Sequence, residues 1–133
     1  MTEEMKNTIE EYIKANVIPI LTTVNKEVFK NYTEIKSDCT DEFLKGKFDE
    51  NGYQKPSWYN EVKSKENDNI NLLIITDFDK IDKTKQKKFT ELLKYRQIGT
   101  LTLPKNCVII VLATTINKES IDKEIYSLVA RIN

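Results

Sequence analysis

Apolar residues in this chain fall into two kinds of pattern. Two runs are uninterrupted: Leu72 to Ile75, and Val108 to Ala113, which reads VIIVLA. Short continuous apolar runs are the mark of strands buried on both faces, as in a parallel sheet. A third stretch, Val17 to Val24 (VIPILTTV), is β-branched and apolar and also reads as a strand. Pro19 must then lie at its start or on an edge, because proline cannot donate to a ladder. The other apolar residues recur at helical spacing. Met5, Ile9, Tyr12 and Ile13 form one stripe of a helix from Glu3 to Asn16 that Thr2 can cap. Phe89, Leu92 and Leu93 give the inward face of a helix from Lys83 to about Tyr95, with Asp82 as its cap. Ser120 or Asp122 caps a last helix that buries Ile125, Leu128, Val129 and Ile132. Strands alternating with helices predict an α/β fold in three layers, with about three main parallel strands and flanking helices.

The remaining segments are polar or short. Val28, Phe29, Tyr32 and Ile35 match a short helix face, but the stretch from Asn25 to Ile35 does not decide its own element. Between Lys36 and Lys55 the Asn51-Gly52 pair signals a hairpin turn. Pro56-Ser57-Trp58 opens one helical turn through Val62, and Lys63 to Asn69 reads as a charged loop. Gln97 to Leu103, around Gly99, predicts a small hairpin or extended connection that Pro104 ends. Trp58 reads as cover for the sheet edge in preference to a binding anchor.

Composition narrows the function classes. A chain of 133 residues is one domain and buries enough surface to fold without a disulfide or metal. Its 21 basic residues offset its 21 acidic ones, which gives no electrostatic reason to expect nucleic acid or anionic lipid. The run Lys83, Lys85, Lys87, Lys88 reads as the solvated face of a helix. There is no histidine, the commonest general base and metal ligand. Cys39 and Cys107 are far apart and form no CxxC pattern, which argues against zinc and, lacking a histidine partner, against a thiol nucleophile. A reducing, cytoplasmic setting is expected. Residues 1–16 are charged throughout and show no signal peptide, and no apolar run approaches the roughly 20 residues that span a bilayer.

The candidate chemistry lies where the first apolar run meets acids: NLLIITDFDKID, residues 71–82. A buried parallel strand delivers such acids to the carboxyl edge of the sheet, where ligands bind in open α/β folds. The same acids also suit a strand-end turn followed by a helix cap. Several pieces come in a fixed order. LLIITDFDKI resembles the Walker B strand of the AAA+ ATPase family, a family of P-loop-NTPase folds. KFTELLKYRQIGTLTLPKN resembles the helix and hairpin that follow, and VIIVLATTIN resembles the sensor-1 strand. IDKEIYSLVARI is similar to the helix carrying an arginine near its end. DENGYQKPSWYNEV is similar to the hairpin and Pro-x-Trp stretch of the MoxR-type branch. The resemblance covers roughly residues 38–133.

That resemblance implies a site. It makes Thr76, Asp77 and Asp79 the candidate magnesium-handling residues, and Asp77 the candidate catalytic acid. Asn117 stands next to the sensor-1 position, and Arg131 at the position of the arginine that reaches a neighbour's γ-phosphate. The chain departs from the pattern as well. No Gly-x-x-x-x-Gly-Lys-Ser/Thr occurs, and the three glycines precede no Lys-Ser or Lys-Thr. The phosphate cradle, its lysine and its magnesium-binding hydroxyl are therefore missing. Thr76 falls where the Walker B aspartate belongs, and Ile116 where the sensor-1 asparagine belongs. The expectation is a single AAA+-like domain, 1–133, whose first strand and phosphate loop are lost at the amino end.

Loss of that strand would leave Val108 to Ala113 as an open edge, a template for a second copy or a partner subunit. The expected role is a degenerate module that does not hydrolyse ATP alone and acts through protein association, with neither nucleic acid nor membrane as partner. The alternative is an ATP-binding or ATP-hydrolysing subunit, or a piece of a larger AAA+ ATPase. Its phosphate loop would come from another segment or chain, and Mg-ATP would be its cofactor.

Overall fold

The computed structural model describes residues 2–16 and 18–133. Val17, the first residue of the predicted first strand, lies outside the described residues, as does Met1. The chain begins with α1 (Glu3–Ala15), in which the Thr2 hydroxyl accepts from the Met5 amide at 3.1 Å. Asn16 then takes a left-handed conformation that ends the helix, and its side chain donates to the Lys105 carbonyl at 2.8 Å. Strand β1 (Ile20–Thr22) follows, starting just after Pro19 as proline requires.

A second strand, β2 (Tyr32–Lys36), fills the stretch that the sequence left undecided, after one 3₁₀ turn at Lys26–Val28. The polypeptide continues through α2 (Asp41–Lys45), the hairpin β3 (Lys47–Asp49) and β4 (Gly52–Gln54), and α3 (Ser57–Ser64). In the hairpin, residues 50 and 51 form the loop and Gly52 supplies the left-handed residue after it, at φ 97°. Helix α3 is two residues longer than expected. Its Trp58 indole, 2% exposed, donates to the Leu44 carbonyl, so this residue is core.

Strand β5 (Leu72–Thr76) leads through a 3₁₀ turn to a helical stretch of α4 (Lys83–Gln86), a 3₁₀ turn and α5 (Thr90–Tyr95). The Asp82 side chain stands at the start of α4 without capping it. The small hairpin β6 (Gln97–Ile98) and β7 (Leu101–Thr102) precedes β8 (Val108–Leu112). Helix α6 (Lys123–Leu128) is capped by Asp122 and stops early, because residues Ala130–Ile132 form a further strand, β9. The predicted last helix through Ile132 is corrected accordingly, and Arg131 sits on a strand.

The main sheet is parallel and has five strands in the order β2-β5-β8-β1-β9. Two expectations fail here. Among the described residues the sheet has five strands and not about three, because β2 and β9 pair with neighbours that are distant in sequence. The run 108–113 is also not an open edge. Strand β8 is bonded to β5 on one side and to β1 on the other, with Ile110 opposite both Ile74 and Ile20. The place beside β8 that the resemblance left empty is filled by β1, and a partner can no longer enter there. The edges of the sheet are β2 and β9.

Two apolar layers close on the sheet. On one face Leu21, Ile35, Leu73, Ile75, Ile109 and Val111 pack against α3, α5 and α6 through Trp58, Val62, Leu92 and Ile125. On the other, Ile20, Leu72, Ile74, Val108, Ile110 and Ile132 meet Ile9 of α1 and Val24 and Phe29 of the link between β1 and β2. Tyr12, predicted on the inward stripe of α1, is 39% exposed. Burial on both faces and pairing on both edges should make β8 the slowest part of the chain to open. In native-state hydrogen exchange, the amides of Val108–Leu112 are expected among the most protected. Exchange as fast as that of the β3–β4 hairpin would contradict the central placement.

Candidate functional site

All five strands are parallel, so their carboxyl ends share one rim. There β1, β8, β5 and β2 surround a cleft of about 390 Å³, lined by Thr23 to Lys26, Glu34, Lys36, Thr76, Asp77 and Leu112 to Thr114. Open parallel sheets bind ligands on this side. The cleft is internally neutralised. The Glu34 carboxylate takes Lys26 at 3.5 Å with one oxygen and the Thr76 hydroxyl at 2.9 Å with the other. Glu34 and Lys26 come from the stretch whose element the sequence left open, so neither stood out there. Glu34 alternates with the buried Thr33 and Ile35 along β2, a period-two pattern that could have exposed the strand.

Each expected site residue is engaged with a different partner. Thr76 ends β5 and donates to Glu34. Asp77 adopts a left-handed backbone, φ 56° and ψ 40°. Its exposed carboxylate pairs with Lys80 at 3.3 Å, and its carbonyl accepts from the Ser37 hydroxyl at 2.7 Å. Asp79 reaches across to the segment after β8. It accepts from the Thr114 amide at 3.0 Å, the Thr114 hydroxyl at 2.7 Å and the Thr115 amide at 2.9 Å. Asn117 accepts from the Glu119 and Ser120 amides at 3.0 and 2.8 Å, which makes it a turn residue of the loop before α6. Arg131 donates to the Tyr126 carbonyl at 2.6 Å, and its guanidinium lies 4.2 Å from the Tyr126 ring centre. Among the described residues no group of three or more Cys, Asp or Glu side chains is placed to hold a metal ion.

Electrostatics separate Asp79 from its neighbours. Partial burial pushes its carboxyl up, and the bonds from Thr114 and Thr115 pull it down by more, leaving it below the ordinary range. Its charged form is therefore held in place as a strut between the ends of β5 and β8. The thiols point the other way. Burial pushes Cys107 up to about 12, against the lowering influence of Arg96, and burial also raises Cys39. Neither is an activated nucleophile.

Beneath the rim lies a residue that the sequence concealed. Gln86 is fully buried, and the two N–H groups of its amide are shared among the carbonyls of Phe78, Ile81 and Ser120 at 3.1, 3.2 and 2.8 Å. Its oxygen accepts from the Asp122 amide at 2.7 Å. One side chain thus ties the acidic turn after β5 to the cap of α6. It sits in a lysine-rich run that reads as solvated surface, so only the fold reveals it.

Comparison with protein-family models and with curated proteins finds no match to this chain. The site therefore stands on its own geometry. It positions loops, and it has no carboxylate set converging on one point.

Two substitutions test these struts. Gln86→Leu is expected to lower the unfolding free energy by about 2–4 kcal/mol, because buried carbonyls and an amide lose their partner; a urea midpoint unchanged from wild type would refute the role. Asp79→Asn tests the charge. A carboxyl held low when folded adds stability above its unfolded value of about 3.9, lost as pH falls through the folded value. The stability gap between wild type and Asp79→Asn is expected to be constant from about pH 7 to pH 5 and to close below about pH 4. A gap indifferent to pH would mean that the ionised form is not what the threonines hold.

Proposed function

We propose that this domain is a degenerate AAA+-like module that does not hydrolyse ATP by itself and acts through association with protein. The order of strands supports the family reading. In that family the phosphate-loop strand lies at the centre of the sheet beside the sensor-1 strand. Here β1 lies beside β8, and β5, the Walker-B-like strand, lies on β8's other side. The two neighbours of β8 are thus compatible with the family reading.

The observation that carries the functional half is the link after β1. Residues 23–31 run directly into β2, contain no glycine and form no helix beyond the 3₁₀ turn Lys26–Val28. A phosphate loop presents successive backbone amides and a lysine at the start of a helix. This link leads into no α-helix, and the ammonium of Lys26, its lysine at the rim cleft, is already opposed by Glu34. A magnesium-bound triphosphate does not fit the residues present. Asp79 is spent on Thr114 and Thr115, and Asp77, on the lining of the cleft, is paired with Lys80. Thr76 donates its hydroxyl proton to Glu34 and adds no charge. Arg131 is held by Tyr126 of its own chain.

Association draws support from surface that the fold leaves apolar. Phe48 on the β3–β4 hairpin is 84% exposed and packs against Tyr53 at 5.0 Å between ring centres, the rings tilted by 40°. Aromatic side chains presented in this way are common anchors at protein interfaces. The strand 108–113 no longer serves as the contact, since both its edges are paired.

Thermal unfolding with and without millimolar Mg-ATP is the direct test. A ligand at 100 times its dissociation constant adds about 2.7 kcal/mol to stability. No shift in Tm is expected. A saturable rise would remove this reading and favour an ATP-binding subunit.

A further inference from the structure

The sheet face that carries Ile20, Ile74 and Ile110 is covered unevenly. Four spacings of about 4.8 Å make a five-stranded sheet about 19 Å wide. A helix with its side chains is about 10–12 Å across, so two helices fill such a face. Among the described residues α1 is the one helix there, and it contacts β9 at one side. The second place holds only the link between β1 and β2 with its single 3₁₀ turn.

What remains is a trough of about 650 Å³ between α1 and residues 28–30, reaching the amino ends of β5 and β8. It opens on the side of the sheet away from the acidic rim. Ile9, Phe29, Leu72 and Val108 line it and are buried, while Val28 and Ile70 on its lip are 39% and 52% exposed. The space is apolar at its base.

Charge selects the occupant. Lys6, Lys14, Lys30 and Lys105 line the trough, against Glu10 as the one acid, in a chain whose overall charge is zero. None of these four lysines has an ion-pair partner among the described residues. A second copy is disfavoured, because a two-fold contact through this surface would set lysines against lysines. A helix with an apolar stripe and acidic flanks meets both demands.

We propose that the trough between α1 and residues 28–30 docks an amphipathic helix with acidic flanks, contributed by a partner protein. The helix would lay residues at i, i+3, i+4 and i+7 onto Ile9, Phe29, Leu72 and Val108, with carboxylates over the four lysines. This proposal does not depend on the fate of ATP in the rim cleft.

The probe is a fluorescein-labelled synthetic helix of about five turns, with leucines at that spacing and glutamates on both flanks. A control keeps the leucines and replaces the glutamates by lysines. Anisotropy titration of the full chain should show saturable binding of the acidic probe, weakening as salt screens the charges. The lysine probe should bind at least about tenfold more weakly. The double variant Lys14→Glu/Lys30→Glu should lose about tenfold or more in affinity for the acidic probe, and Ile70→Asp should do the same. All three positions are exposed, and their folding is checked by circular dichroism. Equal binding of both probes would overturn the proposal, as would binding of neither. A dimer in solution that Ile70→Asp dissociates would also overturn it, by assigning the trough to a second copy.

Discussion

The rest of the structure depends on the shortness of one connection. Strand β1 ends at Thr22 and β2 begins at Tyr32, with β8 and β5 lying between them in the sheet. Nine residues must cover three strand spacings sideways, about 14 Å, and return along most of a strand, about 13 Å. That diagonal is about 19 Å. Nine extended residues reach about 30 Å, whereas as a helix they would advance only about 13 Å. An extended crossover closes the distance, and a phosphate loop followed by a helix does not. The missing cradle, the placing of Lys26 next to Glu34, and the uncovered strip beside α1 all follow from this single limit.

What such a crossover leaves is a domain with two unlike ends. At the carboxyl rim several polar groups satisfy one another: Glu34 with Lys26 and Thr76, Asp79 with Thr114 and Thr115, Asn117 with its own turn. Each bond removes a side chain that a ligand would otherwise recruit, and those of Glu34 and Asp79 tie segments of neighbouring strands together. Gln86 completes the set from below by joining the turn after β5 to the start of α6. The amino end has the opposite character, with buried apolar residues under a lysine rim and little chain to cover them. Among the described residues no helix is long and apolar enough to cross a membrane.

The parts of this fold that were legible in the sequence are those whose signal is local. Leu72–Thr76 and Val108–Leu112 announce themselves because strands buried on both faces must be apolar at every position. The β3–β4 hairpin follows from Gly52, which admits the positive φ that its turn needs, and the start of α3 from Pro56, which fixes its own φ. Strand β2 was hidden because it is an edge with polar residues on alternate positions. Its Tyr32 and Ile35 also satisfy a helical spacing. Strand β9 has three residues and directly follows a helix, so its apolar positions read as a continuation of that helix. The place of β1 beside β8 is a pairing between residues 90 apart, and no local pattern encodes it.

The candidate site was legible only as an address. The acids after β5 do stand at the carboxyl rim, but their partners come from β2 and from the segment after β8, and those partners decide what the acids do. Asp79 as a metal residue and Asp79 as a strut have the same sequence context; the difference lies in two threonine amides and a hydroxyl about 3 Å away. A carboxylate that accepts three such bonds gives up most of its lone-pair directions to the protein. To hold a cation it would have to break them, at about 1.5–3 kcal/mol for each bond to a charged group. An open metal site carries no such cost, because its carboxylates are left to the ion. The arrangement of bonds at this rim therefore favours a fixed scaffold over a reacting centre.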